Sequence, residues 1–196
     1  MLEGRNYTII LDKSGSMATK DQPGGKSRWQ AVKESTLALA AKCEELDPDG
    51  ITVYTFANRF KRYDHVTAKK VEQIFQEHEP MGGTNLTAVL QDAINRHFSQ
   101  PDPQPETILI VTDGEPDDRK SVFQTLIQAT QRIQTNEELG ISFIQIGNDR
   151  EATEFLKALD EQLEKVGAKF DIVDTVTIED MENMTLQEVL MSAIFD

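Results

Sequence analysis

One cysteine, Cys43, in 196 residues excludes an intrachain disulfide and any thiolate cluster that could hold zinc. Basic residues are also scarce, 20 against 34 acidic, and the formal charge of −14 sets a field that repels nucleic acid and anionic membranes. No apolar run approaches the ~20 residues of a membrane span, and residues 1–11 lack the apolar core of a secretory leader. With a lone cysteine these absences point to a cytoplasmic protein with neither nucleic acid nor membrane as a partner. Linkers of Pro, Gly and Ser, repeats and low-complexity tracts are missing too, so one domain over residues 1–196 is expected.

What is present alternates. Short, nearly continuous apolar runs at 7–11, 51–56, 108–112, 141–146 and 172–176 read as buried parallel strands, with a shorter 60–65 segment returning antiparallel from Phe56. Helical periodicity covers 28–46, 69–78, 86–98, 119–134, 152–166 and 186–195. The pattern predicts an α/β class: a Rossmann-like, doubly wound sheet covered by helices on both faces. Cys43 falls on the apolar side of the first helix and reads as a packing residue. The segment 99–105 carries three prolines and must be an exposed connection.

Five hard oxygen ligands stand out in three segments: Asp12, Ser14 and Ser16 in Asp12-Lys13-Ser14-Gly15-Ser16, Thr84 after Gly82-Gly83, and Asp113 after an apolar strand. Two carboxylates and three hydroxyls suit a small hard cation such as Mg2+, with Mn2+ or Ca2+ as alternatives. Asp12 and Asp113 close strands whose carboxyl ends flank the reversal point of a doubly wound sheet, where ligands bind. The two glycines let the Thr84 segment approach closely, and its hydroxyl is placed to cap the following helix. Five such ligands leave the octahedral demand of magnesium incomplete, so the ion would seek an anionic oxygen from outside, most simply an Asp or Glu of a partner protein.

Asp12-Lys13-Ser14-Gly15-Ser16-Met17, Gly83-Thr84 and Thr112-Asp113-Gly114 together resemble the complete metal-ion-dependent adhesion site of the von Willebrand factor type A family. That resemblance implies direct hydroxyl contacts from Ser14, Ser16 and Thr84, with Asp12 and Asp113 holding coordinated waters. It implies six strands in the order 3-2-1-4-5-6 with strand 3 antiparallel. The lack of a secretory leader then places the chain nearer the stand-alone intracellular members of that family, some of which work beside ring-forming ATPases. The expected function is then a non-enzymatic, divalent-metal-dependent protein interaction module. In family members that switch affinity the last helix moves, which makes 186–195 a candidate regulatory element.

The competing expectation is a metal-dependent phosphohydrolase with Asp12 as nucleophile or Glu115 as base. It is weaker because position 14 is serine where such sites offer a second carboxylate. The acidic run Glu115-Pro116-Asp117-Asp118 reads mainly as a solvated loop. Gly25-Lys26-Ser27 lacks the glycine a P-loop needs at position 20, and His65, His78 and His97 stand apart from any nucleophile. Three Asn-x-Thr triplets, at Asn6, Asn85 and Asn183, have no role without secretion.

Overall fold

A computed structural model describes residues 4–46, 50–177, 180, 185, 188 and 189. Six strands form one sheet: β1 Asn6–Asp12, β2 Ile51–Phe56, β3 Phe60–Val66, β4 Glu106–Thr112, β5 Leu139–Gln145 and β6 Val173–Val176. Their order is β3-β2-β1-β4-β5-β6. β3 runs antiparallel to β2, and the other pairings are parallel. Among the described residues five helices cover the sheet: α1 Arg28–Leu46, α2 Ala68–Glu77, α3 Leu86–Ser99, α4 Arg119–Thr130 and α5 Arg150–Gln162.

Strand pleating explains the two layers. Ile9 and Leu11 point to one face, where Val53, Leu109, Val111 and Ile144 meet Trp29, Val32 and Leu39 of α1 and Val71, Ile74 and Phe75 of α2. Ile10 points to the other, where Ile108, Ile110 and Phe143 pack against Leu90 of α3, Leu126 of α4 and Phe155 of α5. Because β1, β2 and β4 are covered on both sides, they are apolar without alternation.

Boundaries shift where polar residues are buried. β4 starts at Glu106, ahead of the apolar run, because the Glu106 carboxylate accepts from Thr8 Oγ1 at 2.6 Å and faces His97 Nδ1 at 3.1 Å. His97 is therefore a buried partner at the amino ends of β1 and β4. α4 stops at Thr130, short of 134; Thr130 Oγ1 then accepts from Lys169 N at 2.9 Å, and Ile133 turns into the core. The helix expected at 152–166 divides into α5 and a 3-10 turn, Glu164–Val166, ended by Gly167 at φ +117. Most of the 186–195 helix lies outside the described residues. The side chain of Cys43 does as well.

Candidate metal centre

β1 has β2 on one side and β4 on the other, so the loops leaving β1 and β4 start side by side at the sheet's carboxyl edge. Leu11 is level with Val111, which sets Asp12 beside Thr112. Asp12 is fully buried, and both its oxygens are engaged: Oδ1 accepts from Ser14 N and Oδ2 from Thr112 Oγ1, each at 2.7 Å. Burial pushes its carboxyl up from 3.8 to about 6; those two donors pull the other way, and the Asp113 charge adds slightly to the rise.

After Ser14 the chain winds into a 3-10 turn, Gly15–Ala18, pinned by fully buried Met17. The turn brings Ser14 Oγ and Ser16 Oγ to 3.2 Å of one another. Both hydroxyls are directed at Asp113 Oδ1, from Ser16 at 2.9 Å and from Ser14 at 3.5 Å. Asp113 itself is 1% exposed. Four of the five expected ligands thus form one connected cluster at the ends of β1 and β4.

Thr84 joins through the backbone of its loop. Met81 N donates to Lys13 O at 2.7 Å and Gly15 N donates to Gly82 O at 3.2 Å, which ties the second loop onto the first. Among the described residues the Thr84 hydroxyl bonds to none of the other four ligands. The cap of α3 is not Thr84, as the sequence suggested, but Asn85, whose side chain accepts from Ala88 N at 3.3 Å. That frees the Thr84 hydroxyl from the helix. A Cβ on Gly83 would lie 2.9 Å from Asn58 Oδ1 and 3.2 Å from Asp117 Oδ2, so any larger residue would displace the two side chains that brace this loop.

Several residues here were not singled out from sequence. Asn58 Oδ1 accepts from Gly83 N at 2.7 Å. Asp117 accepts from Thr84 N at 3.2 Å with either oxygen, and its own N donates to Thr84 O at 3.0 Å. Asp117 is therefore the brace of the Thr84 loop, while Asp118 caps α4 and Glu115 pairs with Arg119. Arg28 Nη1 donates to Asp113 Oδ2 at 2.9 Å. Thr112 stood inside the motif without a role, and Asp117 stood in the acidic run. Arg28 carried no local signal, since its partner is 85 positions away.

Among the described residues no group of three or more His, Cys, Asp and Glu side chains is placed to hold a metal. The cluster at β1 and β4 is of another kind, two carboxylates with serine and threonine hydroxyls. All its donors are oxygen, and among the described residues the buried Asp12 carboxylate has no cation as a hydrogen-bond partner. This donor set fits a small hard divalent ion.

A family model described as a vWA domain found in the TerF C terminus matches residues 5–195. No curated protein matches the chain. Among solved structures, the PilB minor pilin of Streptococcus sanguinis superposes with a TM-score of 0.70 at 15% identity, over 98% of this chain and 60% of that one. The manganese-loaded TRAP protein of Plasmodium vivax gives 0.65 at 15% identity, over 98% of this chain and 74% of that one. The vWF domain of the type V pili tip protein Mfa5 of Porphyromonas gingivalis gives 0.60 at 11%, over 97% and 93%. At these identities the likeness is one of fold. The chain spans about three-fifths of the PilB pilin. Among the described residues no helix is long and apolar enough to cross a membrane.

Proposed function

This chain belongs to the von Willebrand factor A family, and on that premise we propose that it is a non-enzymatic module that binds a partner protein through a divalent ion. Asp12, Ser14, Ser16, Thr84 and Asp113 would hold the ion as a complete adhesion-type site. The observation that carries the reading is the convergence of the Ser14 and Ser16 hydroxyls on Asp113 Oδ1, next to the buried Asp12 carboxylate. Mg2+ is the first candidate; a manganese-loaded relative in fold, the Plasmodium vivax TRAP protein, supports a divalent ion of this class.

When bound, the ion would offer a Lewis-acidic contact to an anionic oxygen. The chain's own residues do the rest. Asp12 and Asp113 supply the charge that attracts the cation, and the 3-10 turn fixes the two serine hydroxyls. The Thr84 loop, braced by Asn58 and Asp117, would bring the third hydroxyl to the same edge. On a surface of formal charge −14, a local cation gives an acidic side chain of the partner its point of attachment. A multi-protein assembly, including one built around an ATPase, is the partner class proposed. A cytoplasmic placement belongs to the same proposal, and the pilus proteins among the structural neighbours lend it no support.

Nothing in the site favours the phosphohydrolase alternative. Both Asp12 oxygens are occupied by donors within the fold, and Glu115 is paired with Arg119. Affinity capture in Mg2+ or in chelator, with wild type and Thr84→Ala, tests the proposal. Partners should be retained by wild type in Mg2+ and lost in the other conditions. Equal retention throughout, or phosphatase turnover abolished by Asp12→Ala, would defeat it.

A further inference from the structure

Arg28 opens α1, yet its guanidinium ends against the metal centre. Nη1 donates to Asp113 Oδ2 at 2.9 Å, while Nε and Nη2 donate to Asp21 Oδ2 at 3.0 and 2.6 Å. The side chain is 10% exposed and that of Asp113 1%. Gly147, at φ +81 just beyond β5, forms the floor beneath it; a Cβ there would sit 2.6 Å from Arg28 Nε and 2.7 Å from Nη2. Four segments therefore converge to seat one cation: the loop before α1, the first turn of α1, and the carboxyl ends of β4 and β5. Only a planar fork meets both carboxylates from one position. As a result Asp113 is divided, with Oδ1 facing the serine hydroxyls and Oδ2 committed to Arg28.

We infer that Arg28, shared with Asp21 and seated on Gly147, is a positioning residue that sets the metal affinity of the site: it withholds Asp113 Oδ2 from the ion and stands as a fixed competing charge beside it. A guanidinium does not lose its proton in a protein, so the opposition is permanent. Asp21 moderates it by taking part of the hydrogen-bonding and charge. The ion is then held loosely by this chain alone and firmly only when a partner carboxylate is added. This rests on the metal reading of Asp12, Ser14, Ser16, Thr84 and Asp113.

The test is calorimetric titration of Mn2+ and Mg2+ into the full chain, with thermal unfolding in chelator and in saturating metal. Arg28→Gln should bind Mn2+ at least tenfold tighter than wild type while its Tm in chelator falls, because Asp113 loses its buried cation. Asp21→Asn, at a partly exposed position, should bind at least threefold weaker, since Arg28 then acts undivided on Asp113. A side chain that only supports the fold would move Tm and affinity in the same direction. Arg28→Gln affinity equal to or weaker than wild type, or unchanged affinity in Asp21→Asn, overturns the inference. The Asp21→Asn result decides alone if Arg28→Gln does not fold. Wild-type binding that depends on Ser14 but is not tightened by Arg28→Gln leaves the metal reading standing; absence of binding in every variant removes both.

Discussion

Replacing Asp12 by asparagine should stabilise the metal-free protein above about pH 6. Burial raises the Asp12 carboxyl from 3.8 to about 6, a difference of about 2 pH units. At 1.36 kcal/mol per unit, ionised Asp12 costs the fold about 3 kcal/mol. Below pH 3.8 the group is neutral in both folded and unfolded chains and contributes nothing. Between 3.8 and about 6 the folded chain keeps a proton that the unfolded chain has released, so stability falls as pH rises. Above that window the cost is constant. An asparagine can keep the local bonds: its carbonyl accepts from Ser14 N, and its amide donates to Thr112 Oγ1, whose own hydrogen turns to Gly114 O at 3.3 Å. Urea unfolding in chelator should then show Asp12→Asn more stable than wild type by about 2–3 kcal/mol at pH 7.5, which in a chain of this size is roughly 5–10 °C in Tm. The gap should close toward pH 4, and saturating Mg2+ should reverse the order. A variant less stable than wild type in chelator at pH 7.5, or a gap independent of pH, refutes the reasoning.

Other perturbations separate the site from its scaffold. Asp117→Ala removes the carboxylate that accepts from Thr84 N and should cost about 1 kcal/mol, with a smaller Mg2+-induced rise in Tm; an unchanged rise would deny Asp117 its bracing role. His97→Ala leaves one oxygen of the buried Glu106 carboxylate without its partner, while Thr8 still donates to the other, and should cost about 1–3 kcal/mol in urea unfolding. Since that pair lies at the far end of β1 and β4, the metal-induced shift in Tm should survive. Asn85→Ala should lose about 1 kcal/mol as a helix cap, whereas Thr84→Ala should leave metal-free stability close to wild type; the reverse ranking would restore the cap to Thr84.

Strands covered on both faces are written as unbroken apolar runs, so β1, β2 and β4 were legible in Ile9, Val53 and Leu109 without any structure. The antiparallel return of β3 was legible as a polar segment close behind β2, which fits its place at the edge of the sheet. The order 3-2-1-4-5-6 came from a family resemblance, because a parallel strand's neighbour is fixed by crossovers and not by its own residues. At the site, the ligand residues could be read from their motifs, while the partners outside those motifs could not. Ser14 and Ser16 lie two and four residues from Asp12, and their hydroxyls turn together within one loop. Arg28 reaches the site only because α1 begins beneath the ends of β4 and β5, a placement that nothing near Arg28 encodes. Glu106 went unmarked, and His97 was read only as standing apart from any nucleophile, for a related reason. Each is polar in an apolar setting, and only their pairing explains the burial of either.

The central claim is that five oxygen-bearing side chains from three loops hold one divalent ion. Titration of Mn2+ against the protein, followed by the loss of the free-ion paramagnetic resonance signal, counts bound ions directly. One ion per chain in the wild type, displaced by Mg2+ and absent in Ser14→Ala/Ser16→Ala, is the predicted result. Mn2+ binding of equal stoichiometry and affinity in the double variant would contradict the account.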